Sequence, residues 1–286
     1  RADDPGLFPG RIRCAGGTMI LEVTINGKRY RAEEGETILS VAIREKIEIP
    51  HLCYEASLDP YGACRLCMVE AVRRGRSEMT TACTLRAAEG LEIVTDTPQI
   101  VKHRKILFEL YLAEAPRSEV IKKMAARYGV TKTRFFKRVD PADPLGNRCV
   151  LCGLCVRACN EIMGAGAINF INRGPYTVVN TPYFEPSADC LGCGACVNVC
   201  PTAAIDMEDI GGERVMRSWS GTRVPLAECE SCGKHYAPKA LAESIIARLE
   251  TPLREETAKI CPECRGKRIA REEILAKRGG GIEHAR

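Results

Sequence analysis

The feature that most constrains this chain is the spacing of its cysteines. Cys149, Cys152, Cys155 and Cys159 form C-x2-C-x2-C-x3-C, and Cys190, Cys193, Cys196 and Cys200 repeat that spacing, with Pro201 following. Upstream, Cys53, Cys64, Cys67 and Cys83 form C-x10-C-x2-C-x15-C. Downstream, Cys229/Cys232 and Cys261/Cys264 are two C-x2-C pairs. Of 17 cysteines, 16 therefore fall into four groups of four, and Cys14 stands alone as an incidental thiol of a leader. No apolar run approaches the roughly 18–20 residues that span a bilayer. The first twenty residues lack the apolar core of a signal peptide. The expectation is a cytoplasmic chain, where thiols stay reduced and cysteines grouped in fours serve metals instead of disulfides.

The two repeated runs carry the strongest signal. Soft thiolates at this spacing are the ligand pattern of paired 4Fe–4S clusters, in which the fourth cysteine of each run crosses to the other cluster. One cluster is then held by Cys149, Cys152, Cys155 and Cys200, the other by Cys190, Cys193, Cys196 and Cys159. Gly153, Gly192 and Gly194 suit loops whose amides crowd the sulfides. Asn160 stands where Pro follows the other run. Ala165–Ile168 and Ala203–Ile205 read as the starts of short strands behind each run.

Ahead of these, Met19–Ile25 has strand composition, Asn26-Gly27 is a two-residue hairpin signal and Lys28–Ala32 returns. Glu36-Thr37 opens an amphipathic helix with Ile38, Leu39, Ala42, Ile43 and Ile47 on one face, ended by Pro50. Strand, hairpin, strand and helix predict a small β-grasp-like unit. The cysteine loop follows, with Cys64 and Cys67 on one tight turn, Gly62 letting amides approach and a strand at Glu78–Ala82 before Cys83. On spacing alone, an iron–sulfur cluster, a zinc site and a set of buried thiols all remain open here.

Pro50-His-Leu-Cys53, Gly62-Ala-Cys64-Arg65-Leu-Cys67-Met-Val-Glu70 and Thr81-Ala-Cys83 resemble the N-terminal 2Fe–2S domain of the large iron–sulfur subunit of respiratory complex I. The same domain occurs in NAD-linked hydrogenases and formate dehydrogenases. The resemblance runs over residues 19–208 and includes both later runs. It implies a 2Fe–2S cluster on Cys53, Cys64, Cys67 and Cys83. It also implies two partners: a subunit binding flavin and NAD(P)H, and a second catalytic redox subunit of hydrogenase or formate dehydrogenase type. Some such relatives work in electron bifurcation. Relatives usually carry a His and three cysteines for an extra 4Fe–4S cluster after the helix predicted at Gln99–Leu112. Residues 113–129 have no Cys and no His, and His103 on the helix has no cysteine partners. The basic residues Lys122, Lys123, Arg127, Lys132, Arg134, Lys137 and Arg138 read as a solvated face.

The C-terminal pairs read as two knuckles around an amphipathic helix marked by Leu241, Ile245, Ile246 and Leu249. Four thiolates from Cys229, Cys232, Cys261 and Cys264 suit Zn2+ as a structural staple, or alternatively a further iron–sulfur cluster. His235 could replace one cysteine, but four suffice. No dinucleotide fingerprint, P-loop, catalytic triad or paired carboxylates stand out.

The expected architecture is α+β: a leader (1–18), a β-grasp 2Fe–2S ferredoxin-like domain (19–97), a helical linker (98–140), a two-cluster 4Fe–4S ferredoxin-like domain (141–210), a zinc-ribbon-like four-cysteine knuckle domain (211–275) and a loose tail (276–286). The function read from it is a non-catalytic electron-transfer subunit wiring the two partners. The alternatives are a free-standing polyferredoxin and a zinc-binding interaction module. The formal charge of +5 is weak grounds for nucleic acid, and four loaded sites at about −2 each take it to about −3.

Overall fold

The computed structural model describes residues 12–13, 19–73, 75–136, 139–248 and 259–279. It contains two compact units, one comprising residues up to Ile162 together with Val199–Ala204, the other Met163–Asn198 and Ile205 onward.

In the first unit, the short β1 (Ile12–Arg13) pairs with the start of β2 (Met19–Ile25), and β2 with β3 (Lys28–Glu33) forms the expected hairpin. The hairpin turn places Asn26 and Gly27 at φ 51° and 77°, the left-handed pair that a two-residue hairpin needs. β4 (Met68–Arg73), β5 (Arg76–Thr81) and β6 (Leu91–Val94) complete the sheet in the order β1-β2-β6-β4-β5, with β3 on β2. β2 and β6 run parallel, Val23 opposite Leu91 and Ile25 opposite Ile93, which is the β-grasp pairing. Alternate residues of β2 point inward, so Leu21, Val23 and Ile25 meet Ile38, Leu39, Val41 and Ala42 of α1 (Ile38–Arg44).

Two expectations are corrected in this unit. α1 ends at Arg44, well before Pro50; Lys46 takes φ 57° and carries Ile47 and Ile49 back to the core outside the helix. The leader carries backbone pairing, since Ile12 and Arg13 of β1 lie opposite Ile20 and Met19; Cys14 lies outside the described residues. The helical linker is itself part of a packed core. In α2 (Pro98–Glu114) and α3 (Glu119–Arg127), Phe108, Leu112, Ile121 and Ala125 bury against Leu52, Cys53, Cys64, Leu66 and Val150. Thr37, Thr97 and Ser118 cap α1, α2 and α3 by accepting the amides of Ser40, Ile100 and Ile121, each worth about 1 kcal/mol. Several of the basic residues in this stretch are paired, Lys122 with Glu119, Arg127 with Glu48 and Arg134 with Glu109. Lys137 and Arg138 lie outside the described residues. The unit also holds the short α4 (Leu154–Arg157).

In the second unit, β7 (Asn169–Ile171) pairs with β8 (Val178–Asn180), and the short α5 (Ala195–Asn198) follows. A four-stranded antiparallel sheet, unforeseen from the sequence, comes next as β9 (Met207–Ile210), β10 (Glu213–Met216), β11 (Thr222–Glu228) and β12 (His235–Pro238). The strands expected to start at Ala165 and Ala203 begin at Asn169 and Met207. α6 (Lys239–Arg248) is the predicted helix, with Ile245 and Ile246 exposed and Leu249 outside the described residues. α7 (Pro262–Gly279) extends through the first residues of the expected loose tail, where Lys, Arg, Glu and Ala all favour helix up to Gly279.

Candidate metal centres

The first four cysteines are buried, and they lie as two pairs. The Cys53 and Cys64 thiols hydrogen-bond each other, as do those of Cys67 and Cys83. The shared hydrogen bond lowers the pKa of Cys64 and Cys83 and raises that of Cys53 and Cys67. Backbone amides reach one sulfur of each pair: Cys64 N–H donates to Cys53 Sγ (3.2 Å), and the Gly62 amide faces Cys83. Gly62 has φ 69°, and a Cβ there would lie 3.3 Å from the Thr84 methyl. Two pairs, each able to hold one iron, fit a binuclear centre; a single ion would need four sulfurs around one point.

The first repeated run starts after the turn 143–148 and lies in the same unit. Gly153, at φ 81°, starts α4, and Cys159 falls in the π-helical turn Ala158–Ile162. Cys149, Cys152 and Cys200 face one another closely enough for their charges to interact. Burial pushes Cys149 up to about 12 and Cys152 up to about 11, so as bare thiols they stay protonated. A cationic core removes that penalty, and binding it expels the protons. Amides of Leu151 and Ala204 donate to Cys149 Sγ (3.4 Å) and Cys200 Sγ (3.3 Å).

In the second unit, Cys190, Cys193 and Cys196 lie around Gly192 and Gly194, at φ 61° and 75°. A Cβ on Gly192 would stand 3.2 Å from Val224 and Pro238. Arg214 holds Asp209 through two bonds (2.7 and 2.9 Å) and donates to the Gly192 carbonyl (2.8 Å). The chain's one tryptophan, Trp219, is buried and aims its indole N–H at Cys196 Sγ (3.4 Å).

The C-terminal four differ in kind. The turn between β11 and β12 carries Cys229 and Cys232, with Gly233 at φ 69° donating to the Cys229 carbonyl (2.8 Å). Cys261 precedes α7 and Cys264 lies in its first turn. All four sulfurs lie within 4.8 Å of one another, the only such His, Cys, Asp or Glu group among the described residues. Cys232 and Cys261 are 3.8 Å apart. A tetrahedral ion with bonds of about 2.3 Å holds its sulfurs about 3.8 Å apart. The Cys261 amide donates to Cys229 Sγ (3.2 Å) and lowers its pKa to about 6. His235 points elsewhere, packing its ring over Gly212.

Several side chains at these centres escaped the sequence reading. Arg104 is fully buried in α2 and donates to the carbonyls of Leu66 (3.1 Å) and Met68 (2.9 Å) on either side of Cys67. Tyr111 donates to the Cys64 carbonyl (2.9 Å). Burial raises its pKa, and so do the neighbouring sulfurs of Cys64, Cys53 and Cys152. A charge inside an apolar helical stripe was the visible signal for Arg104; for Tyr111, pairing distant in sequence left none.

The comparisons with known proteins agree. Residues 19–98 match the family model of a 2Fe-2S iron-sulfur cluster binding domain, and residues 148–204 that of a 4Fe-4S dicluster domain. These define a chain with a 2Fe–2S cluster-binding domain followed by a 4Fe–4S dicluster domain. Beyond these two domains, the chain is similar to parts of NADH and NADPH oxidoreductase subunits and of a hydrogenase subunit. It is 35% identical over 207 residues to an NADH-quinone oxidoreductase subunit of Rhizobium meliloti (strain 1021), covering 65% of this chain and 24% of that protein. It is 31% identical over 233 residues to the NADPH-Fe(3+) oxidoreductase subunit alpha of Geobacter sulfurreducens (strain DL-1 / KN400), covering 74% and 27%. It is 31% identical over 212 residues to NADP-reducing hydrogenase subunit HndD of Solidesulfovibrio fructosivorans, covering 65% and 36%. The chain thus spans between 24% and 36% of the length of these relatives. Among the described residues no helix is long and apolar enough to cross a membrane.

Proposed function

We propose that this chain is the relay of a cytoplasmic oxidoreductase complex, passing single electrons between a flavin subunit that exchanges hydride with NAD(P)H and a second catalytic subunit of hydrogenase or formate dehydrogenase type. The observation that carries it is the contrast in sulfur arrangement, two thiol pairs at the first centre against one tight knot of four at the last. In this reading Cys53 and Cys64 hold one iron of the 2Fe–2S cluster and Cys67 and Cys83 the other. Cys149, Cys152, Cys155 and Cys200 hold one 4Fe–4S cluster; Cys190, Cys193 and Cys196 hold the second, with Cys159 crossing to it. When bound, these clusters supply reversible one-electron storage.

The protein's part is to exclude water and to aim dipoles at the sulfurs. The amides of Cys64, Leu151 and Ala204 and the indole of Trp219 do so, and such bonds stabilise the more negative, reduced state. Cys229, Cys232, Cys261 and Cys264 hold one zinc ion, because a cubane would force its thiolates farther apart than this knot. The names of the relatives, which include NADH, NADPH and NADP-linked oxidoreductases and a hydrogenase, support the choice of partners.

The test is purification of the chain alone and with its partners. Alone, it should be brown, bleach with dithionite and oxidise no NADH. With the flavin subunit added, NADH should bleach the same bands. Bleaching by NADH without that subunit contradicts the proposal.

A further inference from the structure

We propose that Arg157 is a positioning residue that ties the first repeated cysteine run to the loop bearing Cys53 and Cys64, and so sets how closely the two metal centres of this unit approach. The proposal rests on the ligand assignment above. Arg157 lies on α4 between Cys155 and Cys159. Its Nε and Nη2 donate to the two carboxylate oxygens of Glu161, each at 2.8 Å. Its Nη1 donates to the Asp59 carbonyl at 2.9 Å, 98 residues away in sequence. The guanidinium also sits 5.2 Å from the centre of the Tyr61 ring. Asp59 and Tyr61 both belong to the stretch between Cys53 and Cys64.

An exposed i,i+4 ion pair by itself does little. Here Glu161 acts as a splint. By engaging two nitrogens of the guanidinium it fixes the plane of the fork, and the remaining nitrogen is left aimed at the loop. The Arg157 side chain is only 14% exposed, which its charge tolerates because each nitrogen has a partner. A lysine, with one point charge and no plane, cannot splint, donate and stack at once.

The inner side of the same gap is closed by apolar contact. Tyr111, from α2, bonds the Cys64 carbonyl and shares a core cluster with Cys53, Cys64, Val150 and Cys152. Tyr111 holds the Cys64 end of the loop, and Arg157 holds its Asp59–Tyr61 stretch. Placement errors of an ångström matter at a preorganised site, and electron exchange between metal centres weakens steeply with separation.

The test uses the full chain loaded with its clusters. Dithionite supplies one electron to each centre, no bond is made or broken, and low-temperature EPR reads the spin–spin splitting between the reduced 2Fe–2S centre and the neighbouring 4Fe–4S centre. Wild type is expected to show the splitting. Arg157→Ala and Tyr61→Ala should lose or broaden it at unchanged iron and sulfide content and unchanged g-values. Arg157→Lys should fall short of wild type, and Tyr61→Phe, which keeps the ring, should match it. Unchanged splitting in both alanine variants overturns the role, as does loss of iron from both, since the residues then serve the fold. If Arg157→Ala alone loses iron, Tyr61→Ala decides. Two paramagnetic centres without coupling in wild type also overturn it. Failure to find the two centres at all in wild type contradicts the cluster assignment instead.

Discussion

Arg104 shows how much a single residue can hold here. Its guanidinium is fully buried and bonds Leu66 O, Met68 O, Asp96 (2.8 Å) and the Tyr128 hydroxyl (3.2 Å). Removing it leaves two carbonyls beside Cys67 without their donor. Arg104→Met is expected to cost about 3 kcal/mol. For a chain of this size that is a fall of roughly 6–12 °C in the midpoint at which heating bleaches the visible absorbance. A midpoint within about two degrees of wild type, read in the same scan, speaks against this role for Arg104. Trp219 offers a second single-residue test. Trp219→Phe keeps an aromatic side chain, though a smaller one, and removes the N–H that faces Cys196. Redox titration should then find one 4Fe–4S potential shifted to more negative values and the other unmoved. A shift to more positive values, or none, contradicts the assignment of that bond. The grouping of the cysteines in fours was legible because spacing along the chain is a local property of sequence. The side chains that steady them show little locally beyond the charge of Arg104 inside an apolar stripe, because the carbonyls and sulfur that Arg104, Tyr111 and Trp219 reach lie between 23 and 47 positions away.

At the scale of elements, the β-grasp hairpin and α2 were readable from turn chemistry and periodicity. α1 was overextended, since the apolar position at Ile47 continues the pattern while Lys46 turns the backbone left-handed. The sheet β9–β12 escaped notice because its strands are short and charged, as in Met-Glu-Asp-Ile and Glu-Arg-Val-Met, although Gly211-Gly212 between them is a good turn signal. That sheet matters because its last hairpin carries the first C-terminal knuckle. Among the described residues, the core under the knuckles contains Cys229, Ile260 and Cys261, with Tyr236 and Cys264 against it, a small apolar surface for which a metal staple would supply most of the hold. Stripping the zinc with a chelator, or making Cys232→Ser, should abolish amide-exchange protection at residues 229–238 and 259–265 and leave that at 19–94 intact. Retained protection at both knuckles after complete zinc removal contradicts the staple.

For the whole molecule, the cysteine census and the charge balance must agree. Three clusters and one thiolate zinc bring the formal +5 of the bare chain to about −3, so the loaded protein should elute from anion exchange later than the apo chain. The most direct measurement of the central claim is a metal and acid-labile sulfide assay on the intact, anaerobically purified chain. The account predicts about ten irons, about ten sulfides and one zinc per chain. About fourteen irons with no zinc would replace the staple by a fourth cluster, and zinc at every site with no sulfide would contradict the relay outright.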